Sequence, residues 1–211
     1  MNSKKESSNK SVWLIGSIAA AIAIAAIVAV ATQSSSDDVV TGVEEFNSVE
    51  VAGNPLPEYS DSASDTAIGM TAPILTGKGF TGNTIVTGPG APTLLVFLAH
   101  WCQYCQREVP LLVQWNRDGL VPSGLDVIAI ATSTDPASPN FPPSEWLARE
   151  EFPPLWPVMT DSGEKTAANA MGVSGFPFFV LLDSSGKVAL RISGEIEMPV
   201  LTEQINKALG N

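Results

Sequence analysis

Along the second half of the chain, continuous apolar runs typical of buried strands alternate with apolar residues at the spacing of one helix face. This alternation predicts an α/β domain. Continuous apolar runs of strand length occupy residues 93–99 and 126–132, as in strands that are covered on both faces. Between them, Val109, Leu112 and Val113 fall on one face of a helix. The pattern then predicts helices over 144–151, 162–171 and 199–209, strands over 155–161, 178–183 and 186–193, and, ahead of the first strand, a hairpin within 77–92. The order β-α-β-α-β-α-β-β-α indicates one domain over residues 67–211.

A different pattern precedes this domain. Residues 12–31 are apolar or small and uncharged, which is enough helix to cross roughly 30 Å of hydrocarbon. Lysines precede this segment within residues 1–11 and aspartates follow it, so the positive-inside rule places the N-terminus in the cytoplasm and the domain outside. We therefore predict a single-pass anchor in the cytoplasmic membrane, N-in and C-out.

The alternative to an anchor is a cleaved signal peptide. Ala29 and Ala31 form an A-x-A pattern after the apolar core, which is how such a peptide ends. The apolar run is longer than the roughly 7–15 residues of a signal h-region, which favours a retained anchor. Cleavage near Ala31 would give a secreted protein, and both interpretations export the domain.

The segment between the predicted anchor and the domain is acidic. Residues 32–211 hold 21 acidic residues against 8 Lys and Arg, a net charge of −13 that makes nucleic acid an improbable partner. Eight of the acids lie between Asp37 and Asp65, in a stretch rich in Ser, Gly and Pro. We expect residues 32–66 to be a flexible, acidic linker.

The only two cysteines, Cys102 and Cys105, lie where the strand 93–99 passes into a helix. Unpaired amides and the positive end of the dipole stabilise a thiolate at a helix N-terminus, so we expect a depressed pKa for Cys102. Cys105 lies one turn inside the helix and should be shielded. Such a pair can act as nucleophile and resolving thiol in disulfide exchange.

The segment "WCQYC" after a buried strand, with "VSGFPFFVLLD" downstream, resembles the thioredoxin fold. The details are similar to its membrane-anchored bacterial TlpA/ResA branch of thiol–disulfide oxidoreductases, and this resemblance implies a bacterial cytoplasmic membrane. "CQREVP" matches the C-x-x-E-x-P of that branch, and Val96 stands where thioredoxin has a buried Asp. Pro177 follows Cys105 at a distance of 72 residues, enough for an inserted helix and strand. The resemblance implies a central mixed sheet flanked by helices, with an N-terminal β-hairpin, a helix–strand insertion and one preceding transmembrane helix.

The same resemblance implies roles for further residues. Pro177 would be a cis-proline facing the cysteines, and the backbone of Phe176 would pair with an extended substrate. Trp101 would pack beside a Cys102–Cys105 disulfide. Glu108, at i+3 from Cys105, would tune the thiol pKa or transfer a proton, although a solvated helix charge is the plainer interpretation of Glu108. His100 is expected to be a partly exposed residue beside the site.

Other uses of the cysteines fit less well. Cys102, Cys105 and His100 are the only Cys and His residues, fewer than the four ligands of a usual zinc or iron site, so we predict no metal and no cofactor. A structural bridge around two residues would remove little loop entropy. A peroxidase of this fold needs a Thr where the chain has Ala99.

The direction of electron flow depends on Gln103 and Tyr104, the redox-tuning pair between the cysteines. Potentials in this superfamily span roughly −270 to −120 mV, and the dipeptide leaves the direction open. The resemblance favours a reductase of protein disulfides that draws on a membrane electron donor, with cytochrome c maturation as a candidate setting. A disulfide oxidase or isomerase and a non-enzymatic peptide-binding module are the alternatives. We expect a monomer.

Overall fold

The computed structural model describes residues 42–60 and 65–210. The predicted anchor at 12–31 lies outside these ranges, as does the rest of the chain before residue 42. Within the described ranges, no helix combines the length and the apolar character that crossing a membrane requires.

Strands and helices alternate largely as the sequence predicts. The described strands are β1 Glu50–Ala52, β2 Ile74–Gly79, β3 Thr84–Val86, β4 Thr93–Leu98, β5 Asp126–Ala131, β6 Val158–Thr160, β7 Phe178–Leu182 and β8 Val188–Ser193. The described helices are α1 Gln103–Arg117, α2 Pro143–Arg149, α3 Thr166–Ala170 and α4 Met198–Leu209. The predicted hairpin is β2 and β3, and the predicted insertion supplies α2 and β6.

These strands form one mixed sheet in the order β1-β2-β6-β5-β4-β7-β8, with β3 paired to β2. Strand β4 lies at its centre, parallel to β5 and antiparallel to β7. Its register sets Phe97 opposite Phe178, so the end of β4 that leads to the cysteines lies beside the start of β7. The topology thus brings residues 99–102 next to residues 176–177.

Two apolar cores lie on opposite faces of this sheet. All six residues of β4 are buried, and because successive side chains of a strand point to opposite faces, they divide between the cores. Leu94, Val96 and Leu98 pack with α1, whereas Leu95 and Phe97 pack on the other side with α3. The continuous apolar run is therefore explained by cover on both faces.

The acidic stretch before the domain differs from the expected linker. Over residues 42–60 the chain packs on the sheet: β1 pairs with β2, Leu56 is buried, and the Leu56 amide donates to the Ala170 carbonyl at 2.9 Å. The prediction was wrong for these residues because their few apolar side chains are too widely spaced to show a period. The Pro57 carbonyl lies so close to Gly172, which has a φ of +69°, that a Cβ there would be 2.2 Å from it.

One of the acids in this stretch neutralises a buried cation. Arg191 on β8 is buried and donates from Nε to Asp65 Oδ2 at 2.8 Å and from Nη1 to the Pro57 carbonyl at 2.9 Å. This hydrogen-bonded guanidinium lowers the pKa of Asp65 below its ordinary value. Asp65 therefore fastens the N-terminal segment to the far edge of the sheet.

We predict that Asp65→Asn destabilises the protein by about 3 kcal/mol, because it leaves the buried Arg191 cation without its counter-charge. The free energy of unfolding in urea at pH 7 is the measurement. Glu151→Gln is the matched control, since it removes the carboxylate of the exposed Arg117–Glu151 pair and should cost at most about 1 kcal/mol. Equal effects of the two variants would contradict a structural role for the buried pair.

Candidate active site

Cys102 occupies the N-cap of α1. Its backbone is extended, with φ −74° and ψ 116°, its amide donates to the Ala99 carbonyl at 3.0 Å, and its carbonyl accepts the Gln106 amide at 3.1 Å. No side chain caps this helix and no acidic residue lies in its first turn. The thiol thus lies at the helix end whose free amides favour an anion.

The two cysteines are thiols in this structure and differ in surroundings. Cys102 keeps 7% of its surface exposed, whereas Cys105 is fully buried among apolar side chains of the core beneath α1. Burial strongly raises the pKa of the Cys105 thiol, and the neighbouring Cys102 and Glu108 raise it further. The two thiols therefore differ in exposure, and Cys105 is shielded, as its position one turn inside the helix predicts.

The loop before β7 lies beside the Cys102 thiol. The Phe176–Pro177 peptide bond is cis, the isomer that the resemblance implies, and Cys102 Sγ donates to the Phe176 carbonyl at 3.5 Å. The Pro177 carbonyl accepts the Gly194 amide at 2.9 Å, which joins this loop to the end of β8. The cysteines and the predicted substrate-binding residues are thus brought together across 74 residues of chain.

Trp101 and Tyr104 form an exposed aromatic rim beside Cys102. Trp101 is 40% exposed, donates from its indole N–H to the Ser133 carbonyl at 2.7 Å, and meets the Phe176 ring edge-on at 6.3 Å. Tyr104 is 46% exposed, and Gln103 beside it is exposed as well. These residues are available to a protein that approaches the Cys102 thiol.

Glu108 is fully buried, so the interpretation of a solvated helix charge is wrong. Its Oε2 accepts the Ile196 amide at 3.3 Å, and its Oε1 has no hydrogen-bond partner among the described residues. Desolvation raises the pKa of Glu108 to about 7, and the charges of Glu195 and Glu197 add to the rise. A carboxyl group with this pKa can both give and take a proton near neutral pH.

His100 is buried, contrary to the expectation of partial exposure. Its Nδ1 lies 2.7 Å from the Pro139 carbonyl and its Nε2 accepts the Asp135 amide at 3.1 Å. One ring nitrogen donates and the other accepts, which corresponds to the neutral tautomer protonated on Nδ1. The ring holds the loop after β5, so neither nitrogen is free to act on Cys102. Within the described ranges, no group of three Cys, His, Asp or Glu side chains could hold a metal ion.

Sequence reasoning missed an ion pair at the edge of the site. Arg107 donates from Nε and Nη2 to the two carboxylate oxygens of Glu195, both at 2.7 Å, and its guanidinium lies 4.8 Å from the centre of the Tyr104 ring. One signal was available, since a cation near a helix N-terminus opposes the dipole and calls for a compensating acid. The partner lies 88 residues away and has no local pattern.

Comparison with known proteins agrees with this geometry. A model of the Redoxin family matches residues 52–208, most of the chain. The chain belongs to the Redoxin family. It is 27% identical over 120 residues to the thiol:disulfide interchange protein HelX of Rhodobacter capsulatus, covering 57% of this chain and 62% of HelX. It is 32% identical over 111 residues to the thiol-disulfide oxidoreductase ResA of Bacillus thuringiensis, covering 50% of this chain and 57% of ResA.

A solved relative shows the same fold. The crystal structure of a DsbE-type thiol:disulfide interchange protein from Chlorobium tepidum superposes with a TM-score of 0.55 at 28% identity, covering 68% of this chain and 98% of that one. These matches confirm the thioredoxin-like fold and the likeness of this Redoxin-family chain to the ResA branch. The chain spans about six tenths of the length of the curated relatives it matches.

We predict that Glu108 makes the stability of this Redoxin-family protein fall as the pH rises. A pKa of about 7 in the folded state against about 4.3 in the unfolded state means that the folded protein binds the extra proton between those values. The stabilisation is complete below pH 4 and is lost through pH 7. Because Glu108→Gln cannot ionise, its free energy of unfolding should gain about 3 kcal/mol on that of the wild type between pH 4 and pH 8.

Urea unfolding at several pH values measures this difference. Glu203→Gln, on the exposed face of α4, is the control and should run parallel to the wild type. A constant difference between Glu108→Gln and the wild type over this pH range would show that Glu108 is not held as a neutral acid.

Proposed function

We propose that this protein is a thiol–disulfide oxidoreductase that exchanges electrons with protein cysteines through Cys102 and Cys105. The observation that carries the proposal is the position of the Cys102 thiol, at a helix N-terminus and 3.5 Å from the Phe176 carbonyl, with Cys105 buried one turn behind it. The names of the relatives, among them a thiol-disulfide oxidoreductase and a thiol:disulfide interchange protein, support it.

The exchange proceeds in two steps. The Cys102 thiolate attacks one sulfur of a substrate disulfide, forming a mixed disulfide and releasing the other substrate sulfur as a thiolate that takes up a proton. Cys105 then loses its proton and attacks Cys102 Sγ, which closes the Cys102–Cys105 disulfide and releases the second substrate thiolate. The substrate gains two electrons and the protein dithiol loses them. The reverse sequence oxidises a substrate dithiol.

Glu108 serves the second step. Cys105 is a poor nucleophile until its proton leaves, because burial and the neighbouring carboxylate both oppose the thiolate. Glu108 lies one turn further along α1, on the same helix face, and with a pKa of about 7 it can accept that proton. Glu108 is therefore the proposed proton acceptor when the mixed disulfide is resolved.

The substrate lies as an extended segment against the loop before β7. The cis bond at Pro177 leaves the Phe176 backbone beside Cys102, where it can pair with a substrate chain. Trp101, with its edge on Phe176 and two fifths of its surface exposed, borders the same place. Gln103 and Tyr104 flank the disulfide and set its potential.

The protein works as a reductase outside the cytoplasmic membrane. The apolar segment 12–31 anchors it, the lysines before that segment hold the N-terminus inside, and the domain receives electrons from a membrane partner. Its clients are disulfides of exported proteins, with cytochrome c biogenesis as a candidate setting. Among the relatives are HelX and the methylamine utilization protein MauD of Methylophilus methylotrophus.

We predict that Cys105→Ala accumulates mixed disulfides between Cys102 and client proteins, because the resolving thiol is gone. Non-reducing electrophoresis of membrane extracts followed by mass spectrometry identifies the adducts. Cys102→Ala is the matched control and should trap none, since its remaining thiol is buried. Failure of Cys105→Ala to form adducts, together with failure of the wild type to reduce insulin, would favour a peptide-binding module.

The clients identified by trapping also allow the direction of electron flow to be measured. In cells without the protein, the trapped clients should accumulate in their disulfide form, which alkylation of free thiols measures by mass. Clients that instead accumulate as thiols would identify an oxidase, and clients with altered disulfide pairing would identify an isomerase.

A further inference from the structure

Glu108 receives its one hydrogen bond from a loop rather than from a helix or strand. The donor is the amide of Ile196, in the segment between β8 and α4, and the N–H to Oε2 contact measures 3.3 Å. The position of that segment therefore determines whether the buried carboxylate keeps this hydrogen bond. Whatever fastens the segment to α1 also acts on Glu108.

The segment is held to α1 by the residues that precede Ile196 and Glu108 in the chain. Glu195 precedes Ile196, Arg107 precedes Glu108, and the two side chains form a bidentate ion pair with both contacts at 2.7 Å. Two parallel N–H···O bonds fix the planes of both groups, which makes this arrangement more directional than a single contact. The hydrogen-bonded Arg107 also lowers the pKa of Glu195 and keeps it charged.

The charge on Glu195 matters because it raises the pKa of the buried Glu108 carboxyl group. From the β8–α4 segment, Glu195 and Glu197 both act on Glu108, and from its own helix Cys105 interacts with it. Strands β4 and β7, on which α1 packs, carry no titratable side chain. Arg107, which pairs with Glu195, is thus the cation placed to offset that negative charge.

We propose that Arg107 and Glu195 are positioning residues for Glu108: their ion pair holds the Ile196 amide on the Glu108 carboxylate and balances the charge that Glu195 directs at it. The pair is largely exposed, with side-chain exposures of 52% and 33%, so its contribution to overall stability is small. The ion pair instead affects the pH at which Glu108 gains or loses its proton. The inference rests on the proposed function only in taking Glu108 to serve thiol exchange.

The two halves of the pair give opposite expectations. Arg107→Gln removes the cation and leaves the Glu195 charge uncompensated, so the titration midpoint of Glu108 should rise by about half a pH unit. Glu195→Gln removes the negative charge itself, so the midpoint should fall by a similar amount. In each variant the glutamine amide can still hydrogen-bond to the remaining partner, so the change of charge is tested with the smallest change in the contacts of the loop.

The test is the carboxyl carbon signal of Glu108, followed by NMR against pH in the full chain labelled at glutamate. The signal is assigned by its loss in Glu108→Gln. The disulfide-oxidised protein is used, because its cysteines no longer titrate and the readout is independent of thiol exchange. Arg117→Gln is the matched control, since Arg117 lies on the same helix in another exposed ion pair, with Glu151.

Opposite shifts in Arg107→Gln and Glu195→Gln, with none in Arg117→Gln, would support the proposal. Shifts of the same sign, or shifts no larger than that of the control, would overturn it. A second readout is the pH profile of insulin reduction, whose midpoint should move with that of Glu108. Loss of insulin reduction in the wild type would count against the proposed function and leave the NMR result standing.

Discussion

The burial of two ionisable groups under the first turns of α1 is the constraint on which the rest of the site depends. Cys105 and Glu108 are both fully inaccessible, and each is easier to keep neutral than charged there. The charge of the Glu108 carboxylate also raises the pKa of Cys105, so ionisation of one group opposes ionisation of the other. Cys102, at the N-terminus of the same helix, keeps part of its surface exposed, and this difference in exposure separates the proposed attacking thiol from the proposed resolving thiol.

The sheet supplies the opposite wall of the site. Because β4 lies antiparallel to β7, the end of β4 that leads into the cysteines adjoins the cis bond that precedes β7. Val96 on β4 faces the core that contains both cysteines, at the position where the resemblance places a buried Asp in thioredoxin. The buried acid beside the thiols is instead Glu108, which comes from the helix and is reached by the segment that follows β8.

Local patterns predicted most of this fold, because the strands and helices of the domain carry regular apolar periods and clear turn residues. The motif residues Cys102, Cys105 and Pro177 were predictable for the same reason, since each is marked by its immediate neighbours. Contacts between distant segments were not. The packing of residues 42–60, the burial of His100 and the Arg107–Glu195 pair all depend on partners far away in sequence, and nothing local distinguishes a charge that is paired from one that is solvated.

The central claim is that Cys102 is the attacking thiol and Cys105 the resolving thiol. The relative reactivity of the two thiols tests it most directly. The reduced full chain is exposed briefly to iodoacetamide at pH 7, and the fraction alkylated at each cysteine is counted by mass spectrometry. Burial and a raised thiol pKa predict that Cys102 reacts at least tenfold faster than Cys105, a ratio of about 1.4 kcal/mol in activation free energy. Alkylation of Cys105 at a rate equal to that of Cys102 would contradict the account.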